Sequence, residues 1–146
     1  MKEKILQQLI ADLEKSVAIF ENSIEGLKGL SDLDENSTKD PEDLSNQNVS
    51  KDMEMRYNVQ LEKARHDLIA VQQLLSRQND SIAPGSLVET DKKWFFVGIS
   101  NPAIKIDDKE LICFSTSAPV YRLVEGKKPG DSFKLGKDAY RIRNIF

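Results

Sequence analysis

Apolar residues recur along the start of the chain at Leu6, Ile10, Leu13, Val17, Phe20, Ile24 and Leu27, in alternating steps of four and three. That is the seam of a coiled coil held over three heptads, and it predicts a helix. Leu9 widens the stripe near its beginning. Gly26 and Gly29 weaken it near its end, because glycine inside a helix costs about 1 kcal/mol relative to alanine. At about 1.5 Å per residue, residues 3 to 29 make a rod roughly 40 Å long, closed at Ser31 or Asp32. The seam returns at Tyr57, Leu61, Ala64, Leu68, Val71 and Leu75; Pro41 is excluded from a helix interior but suits a first turn, and Ser50 or Asn48 is placed to cap the second helix. Two runs of similar length joined by a short polar link favour an antiparallel hairpin within one chain, hence a monomer. An intermolecular coiled coil is the other closure open to the same pattern. Ile69 and Leu74 add apolar surface beside the second seam.

The helical period breaks between Ser76 and Gly85 (SRQNDSIAPG), and Pro84-Gly85 marks a boundary. Beyond it the period shifts towards two. SLVET, KKWFFVGIS, ELICFS, DSFKL and DAYRIRNIF read as five short strands, with a turn at Asp107-Asp108 between the second and third. APVYRLVEG carries the spacing of one short helix at Val120, Leu123 and Val124. Gly126 and the Pro129-Gly130 pair then turn the chain into the next strand. Trp94, Phe95, Phe96 and Phe114 are the natural core of this unit. The expected fold class is α+β: a coiled-coil hairpin over residues 1–80, then a small unit of antiparallel strands with one short helix over 84–146.

Charge changes this picture at one place. Between the two seams, residues 31–48 (SDLDENSTKDPEDLSNQN) lose the apolar stripe. They carry Asp32, Asp34, Glu35, Asp40, Glu42 and Asp43 against Lys39 alone, a net of −5. If the seams close on each other, those carboxylates sit at the far tip of the hairpin. Residues 84–146 hold eleven Lys and Arg against eight Asp and Glu, a net of +3, so the acidic and basic ends of the chain are segregated. Such an arrangement favours an oriented approach to a large partner. No apolar run is long enough to span a membrane, and the N-terminus MKEKILQQLIADLEK lacks the apolar core of a signal peptide. A cytoplasmic protein is the default expectation.

Most familiar chemistries find no residues to carry them. One cysteine, Cys113, and one histidine, His66, cannot build a zinc site, and His66 lies off the seam on a helix. GKKPGD (residues 126–131) lacks the spacing and the final Ser or Thr of a phosphate-binding loop. Ser115, Ser117 and His66 do not assemble a triad. The acids of residues 31–48 are the only concentrated chemistry. Carboxylates suit magnesium, a hard cation that commonly takes one or two of them together with substrate phosphates. Alone on a loop they bind it weakly, or merely keep a coil tip soluble. In a partner that already holds the ion they complete a site.

The order of parts resembles the Gre transcript-cleavage factors of bacterial RNA polymerase, in which a coiled-coil hairpin with an acidic tip precedes a small FKBP-like domain. Asp32-Leu33-Asp34-Glu35-Asn36 is similar to that family's tip motif D-L-[KR]-E-N. Ser115 to Phe133 (STSAPVYRLVEGKKPGDSF) is similar to its S-x-x-S-P-[IL]…L-x-G-K-x-x-G-D signature. The resemblance implies an FKBP-like C-terminal domain and a hairpin that enters the polymerase secondary channel. It implies that Asp32 and Glu35 share the second magnesium ion of the polymerase active centre and promote cleavage of backtracked RNA, touching the RNA 3′ end only indirectly. The chain would then be an activator of the polymerase and not itself an enzyme. Asp40, Glu42 and Asp43 offer a second set of acids in the same stretch. Ser37-Thr38-Lys39 replaces the family's A-E-Y after the tip motif, and Ala118-Pro119 replaces its S-P. A channel regulator that does not promote cleavage shares the same architecture. A structural or adaptor coiled coil is the reading from a different class.

Overall fold

In the computed structural model the backbone is described for residues 1–35 and 41–146, and side chains for residues 1–28 and 48–146. The order of elements is α1 (Lys2–Glu35), α2 (Pro41–Leu74), β1 (Leu87–Thr90), β2 (Trp94–Val97), β3 (Asn101–Ile106), β4 (Lys109–Phe114), α3 (Pro119–Val124), β5 (Ser132–Leu135) and β6 (Asp138–Ile145). The fold is α+β: two long N-terminal helices, then a mostly antiparallel sheet with one short helix. The chain divides into two compact units, Ala11–Leu68 and the pair of segments Met1–Ile10 and Ile69–Phe146. The sheet unit therefore takes in the start of α1 and the end of α2, segments that lie outside the 84–146 stretch drawn at the Pro-Gly pair.

Within Ala11–Leu68 the two helices run antiparallel, since Glu21 meets Arg65 while Lys28 and Asn58 line the same groove further along. The seam reads as expected from its spacing. Leu13, Ile24, Leu61 and Ala64 are buried, while Val17, Phe20, Leu27, Tyr57 and Leu68 are half-buried. Phe20 and Tyr57 bring their rings to 6.2 Å between centroids. The helix limits differ from those expected. Helix α1 does not stop at Ser31 or Asp32 but continues to Glu35, and α2 begins at Pro41 and not at a cap on Asn48 or Ser50. Proline is well suited to the first helical position, where its missing N–H is not needed. The six residues Pro41 to Asn46 are thus helical despite lacking an apolar stripe.

The sheet has six strands in the order β3-β4-β2-β1-β6-β5. The strand not foreseen is β3, whose sequence NPAIKI carries a proline and little alternation. It lies at the sheet edge and pairs only with β4, with a register shift between Asn101 and Ile104. An edge is where proline is tolerated, because its absent N–H removes no interior ladder bond. The Asp107-Asp108 turn consequently joins β3 to β4, with Asp107 at φ 53°. All pairs are antiparallel except β2 with β4, so the expectation of purely antiparallel strands is corrected at this one pair. Strand β3 provides the excursion that a parallel pair requires.

One face of the sheet holds a cluster of Ile82, Val88, Phe95, Val97, Phe114, Tyr121, Val124, Phe133, Tyr140 and Ile142. Phe95 is at its centre, with ring centroids 5.1 Å from Tyr140, 5.4 Å from Phe133 and 6.4 Å from Phe114. Phe96 and Leu87 are also fully buried but stand outside that cluster, as strand alternation requires for the opposite face. Leu74 packs in close to the backbone at Gly98, where φ is +150° and an added Cβ would come within 2.9 Å of its Cδ1. The first turn of α1 is tied to the same unit by Lys2. Its buried ammonium donates to the carbonyls of Arg77, of Gly85 at 2.8 Å and of Phe146 at 3.3 Å.

Candidate functional site

The acid-rich stretch brackets the junction of α1 and α2. Asp32, Asp34 and Glu35 fall in the last turn of α1, and Glu42 and Asp43 in the first turn of α2, just after Pro41. Asp40 lies outside the described residues, and so do the side chains of the other acids. Backbone position alone separates the two candidate sets. A helix presents partial positive charge at its N-terminus and partial negative charge at its C-terminus, so carboxylates stabilise the first turn and destabilise the last. Glu42 and Asp43 are therefore accounted for by the start of α2. Asp32, Asp34 and Glu35 stand at the disfavoured end of α1, where no basic residue offsets them. Helix stability does not explain them.

Positions 32 and 35 are three apart in a helix and so share one face. Magnesium prefers oxygen donors and keeps an octahedral shell, so carboxylates are the residue type that suits it. Among the described residues no group of three His, Cys, Asp or Glu could hold a metal ion. His66 is exposed on α2, away from the seam, and Cys113 is buried in β4.

The second motif, Ser115 to Phe133, forms the connection from β4 through α3 to β5. Its residues serve the fold. Ser115 and Ser117 share a hydrogen bond of 2.8 Å between hydroxyls, and Ala118 precedes Pro119 at the first position of α3. Tyr121 and Val124 anchor α3 in the aromatic cluster. Gly126, at φ +77°, donates its N–H to the Ile82 carbonyl at 2.9 Å, and the Ile82 N–H returns a bond of 2.9 Å to the carbonyl of Lys127. Lys128-Pro129-Gly130-Asp131 is a tight turn closed by Asp131 N–H donating to Lys128 O at 3.0 Å. Proline at its second position and glycine at φ +97° at its third are the residues a type II turn demands. The Asp131 carboxylate accepts the Lys128 N–H at 2.8 Å, which ties the turn again. The glycine, proline and aspartate of the motif are thus turn residues, and Leu123 is its exposed apolar member.

Two features escaped the sequence pattern. Lys2 looks like an ordinary lysine in a first helical turn, and only the fold brings three carbonyls to it. Lys92, Lys93, Lys105 and Lys109 line one depression of about 480 Å³, together with Asp108 and Glu110. They come from the β1–β2 turn, from β3 and from the start of β4, segments distant in sequence. Lys93 pairs with Glu110 at 2.9 Å, and Lys109 donates to the Thr90 carbonyl at 3.2 Å. Compared with known proteins, the chain matches no protein-family profile and no curated protein sequence.

Proposed function

We propose that this protein is a Gre-like factor that binds RNA polymerase, inserts the acidic junction of its hairpin into the secondary channel and promotes cleavage of backtracked RNA. What supports this reading is the backbone of α1 running to Glu35, so that positions 32 and 35 fall in its last turn, where acids cost a helix stability. Their association with the Ser115–Phe133 motif in the same chain supports it. In this reading the long hairpin delivers the carboxylates and the sheet unit holds the polymerase surface. Asp32 and Glu35 would be the residues that hold a magnesium ion shared with the polymerase. Such an ion would supply Lewis-acid chemistry for phosphoryl transfer. The polymerase contributes the rest of the catalytic centre, so the chain acts as an activator.

A second reading, a channel regulator that does not promote cleavage, is favoured by Ser37-Thr38-Lys39 standing where the resembled family has A-E-Y. One experiment separates them. Asp32→Ala with Glu35→Ala is compared with wild type for affinity to core polymerase and for RNA cleavage in a stalled, backtracked complex. The expected result is a loss of cleavage of at least about 100-fold with affinity unchanged, because the acids act on the ion and not on docking. Loss of cleavage only in Asp40→Ala/Glu42→Ala/Asp43→Ala would transfer the role to the second set. A wild type that occupies the channel without stimulating cleavage would establish the regulator. A wild type that does not bind the polymerase would leave the adaptor reading.

A further inference from the structure

Four lysines, Lys92, Lys93, Lys105 and Lys109, share the sheet-end depression of about 480 Å³ with two acids, Asp108 and Glu110, a net of +2. The strand order builds it. Lys105 in β3 stands opposite Glu110 in β4, so their side chains lie on one face of the sheet. Glu110 bonds Lys93, just ahead of β2, at 2.9 Å, which sets one carboxylate between two lysines. Lys92 extends the row, with its ammonium 5.6 Å from the centroid of the Tyr140 ring. Among the described residues neither Lys92 nor Lys105 pairs with a carboxylate. The surplus survives a wider count, because the flanking Asp91, Asp107 and Asp138 are matched in number by Lys137, Arg141 and Arg143. Asp91 is moreover committed elsewhere, since its carboxylate accepts the Arg141 N–H at 3.0 Å.

An ammonium is a compact point charge with three donors, and it suits a tetrahedral oxyanion. A phosphate monoester carries about −1.5 to −2 charge at pH 7 and three strong acceptor oxygens, so one such group answers the surplus of the depression. A depression of this volume has room for the group and for a small molecule that carries it. A nucleic acid fits less well. Its affinity comes from many phosphates neutralised together, whereas this surplus is two charges in one place. We propose that the depression binds a small phosphate monoester, with Lys92 and Lys105, the two lysines without a carboxylate partner, bonding its oxygens. The site belongs to the sheet unit alone and does not depend on the acids of residues 31–48.

The test titrates the whole isotope-labelled chain with phenyl phosphate at about pH 7, where the monoester is mostly a dianion, at constant ionic strength. Backbone amide shifts in the NMR spectrum are expected to saturate with a Kd of about 1 mM or tighter. They are expected to map to residues 91–93 and 105–110. Lys92→Gln with Lys105→Gln should weaken binding at least about tenfold, because it removes two charge-assisted bonds. Lys4→Gln with Lys15→Gln takes the same charge from exposed positions of α1 and should change Kd less than about twofold. Shifts that never saturate, or that spread over the chain, would overturn the site, and the wild-type map decides this whatever the fate of the variants. Equal losses in the two variants would overturn it too, since binding would then follow net charge alone. Binding of a single-stranded RNA or of phosphatidic-acid vesicles, without binding of phenyl phosphate, would overturn the small ligand named here.

Discussion

Between Ala11 and Leu68 the buried apolar side chains lie along one seam, with Leu13 and Ile24 on one helix and Leu61 and Ala64 on the other. In the sheet unit ten of them form a cluster in which Phe95 alone meets three other rings, and others, Phe96 and Leu87 among them, are buried outside it. The charges divide the same way. The hairpin unit Ala11–Leu68 holds seven Lys and Arg against fourteen Asp and Glu, a net of −7, whereas Met1–Ile10 and Ile69–Phe146 together hold fourteen Lys and Arg against ten Asp and Glu, a net of +4. A seam one residue wide cannot hide the rest of its helices, so the hairpin must be mostly surface. Its outer positions are therefore free to carry charge and contact residues, at little cost to folding. The sheet unit has the reverse character: its recognisable motif is used up in turns and packing.

The strongest way to break this contrast is to open the cluster at Phe95. Phe95→Ala removes an aromatic ring that is about 1% exposed, and such truncations cost about 3–5 kcal/mol through lost transfer energy and the cavity left behind. Trp94, the single tryptophan, sits beside it in β2 and reports the sheet unit by fluorescence. Its unfolding midpoint in urea is expected to fall steeply. An unchanged midpoint would mean that the cluster does not govern this unit.

How much of this was legible depended on whether the cause was local. The seam residues from Leu6 to Leu75 could be read because a helix repeats its face every 3.6 residues, and burial followed that spacing. The turn at Pro129-Gly130 could be read because it needs those residue types. Strand β3 could not, since Pro102 argues against a strand and only the edge position forgives it. Pro41 suits a first helical turn and proves to occupy one, but nothing in residues 41–46 carries the helix on to the seam, because that segment has no apolar stripe. The charge of residues 31–48 was plain in the sequence. Which acids work against the helix became clear only when α1 was found to run to Glu35. Lys2 was illegible because its three acceptors come from segments distant in the chain.

Lys2 also offers a sharper test of the sheet unit. Lys2→Met keeps the length of the stem and removes the donor from the carbonyls of Arg77, Gly85 and Phe146. Leaving buried acceptors without a partner costs about 1–3 kcal/mol, a smaller loss than at Phe95. The pH dependence has a definite sign. Burial, with Arg77 nearby, holds the Lys2 amine below its ordinary value of 10.5. Between the folded value and 10.5 the unfolded chain binds the proton more, so folding stability from this group rises with pH through that window. The stability gap between wild type and Lys2→Met, measured by urea unfolding at about pH 7 and about pH 10, is expected to widen at the higher pH. A gap that narrows would mean that the carbonyl cage favours the ammonium more than burial opposes it.

The smallest effect is expected where the hairpin looks best tied. Arg65 bonds Glu21 across the helices at 2.8 Å and Glu62 on its own helix at 3.3 Å, and all three side chains are about half exposed or more. Water and salt screen such charges, and holding long side chains in one geometry costs entropy, so exposed pairs add little. Leu61 is the counterpart on the same helix, 6% exposed and in the seam. Leu61→Ala should cost about 2–5 kcal/mol, as buried leucines do. Arg65→Ala should leave the helical unfolding midpoint, followed by far-UV circular dichroism, within the scatter of replicate melts. If the two substitutions lowered that midpoint equally, the rim charges and not the seam would be holding the hairpin. Its surface would then not be free to serve a partner.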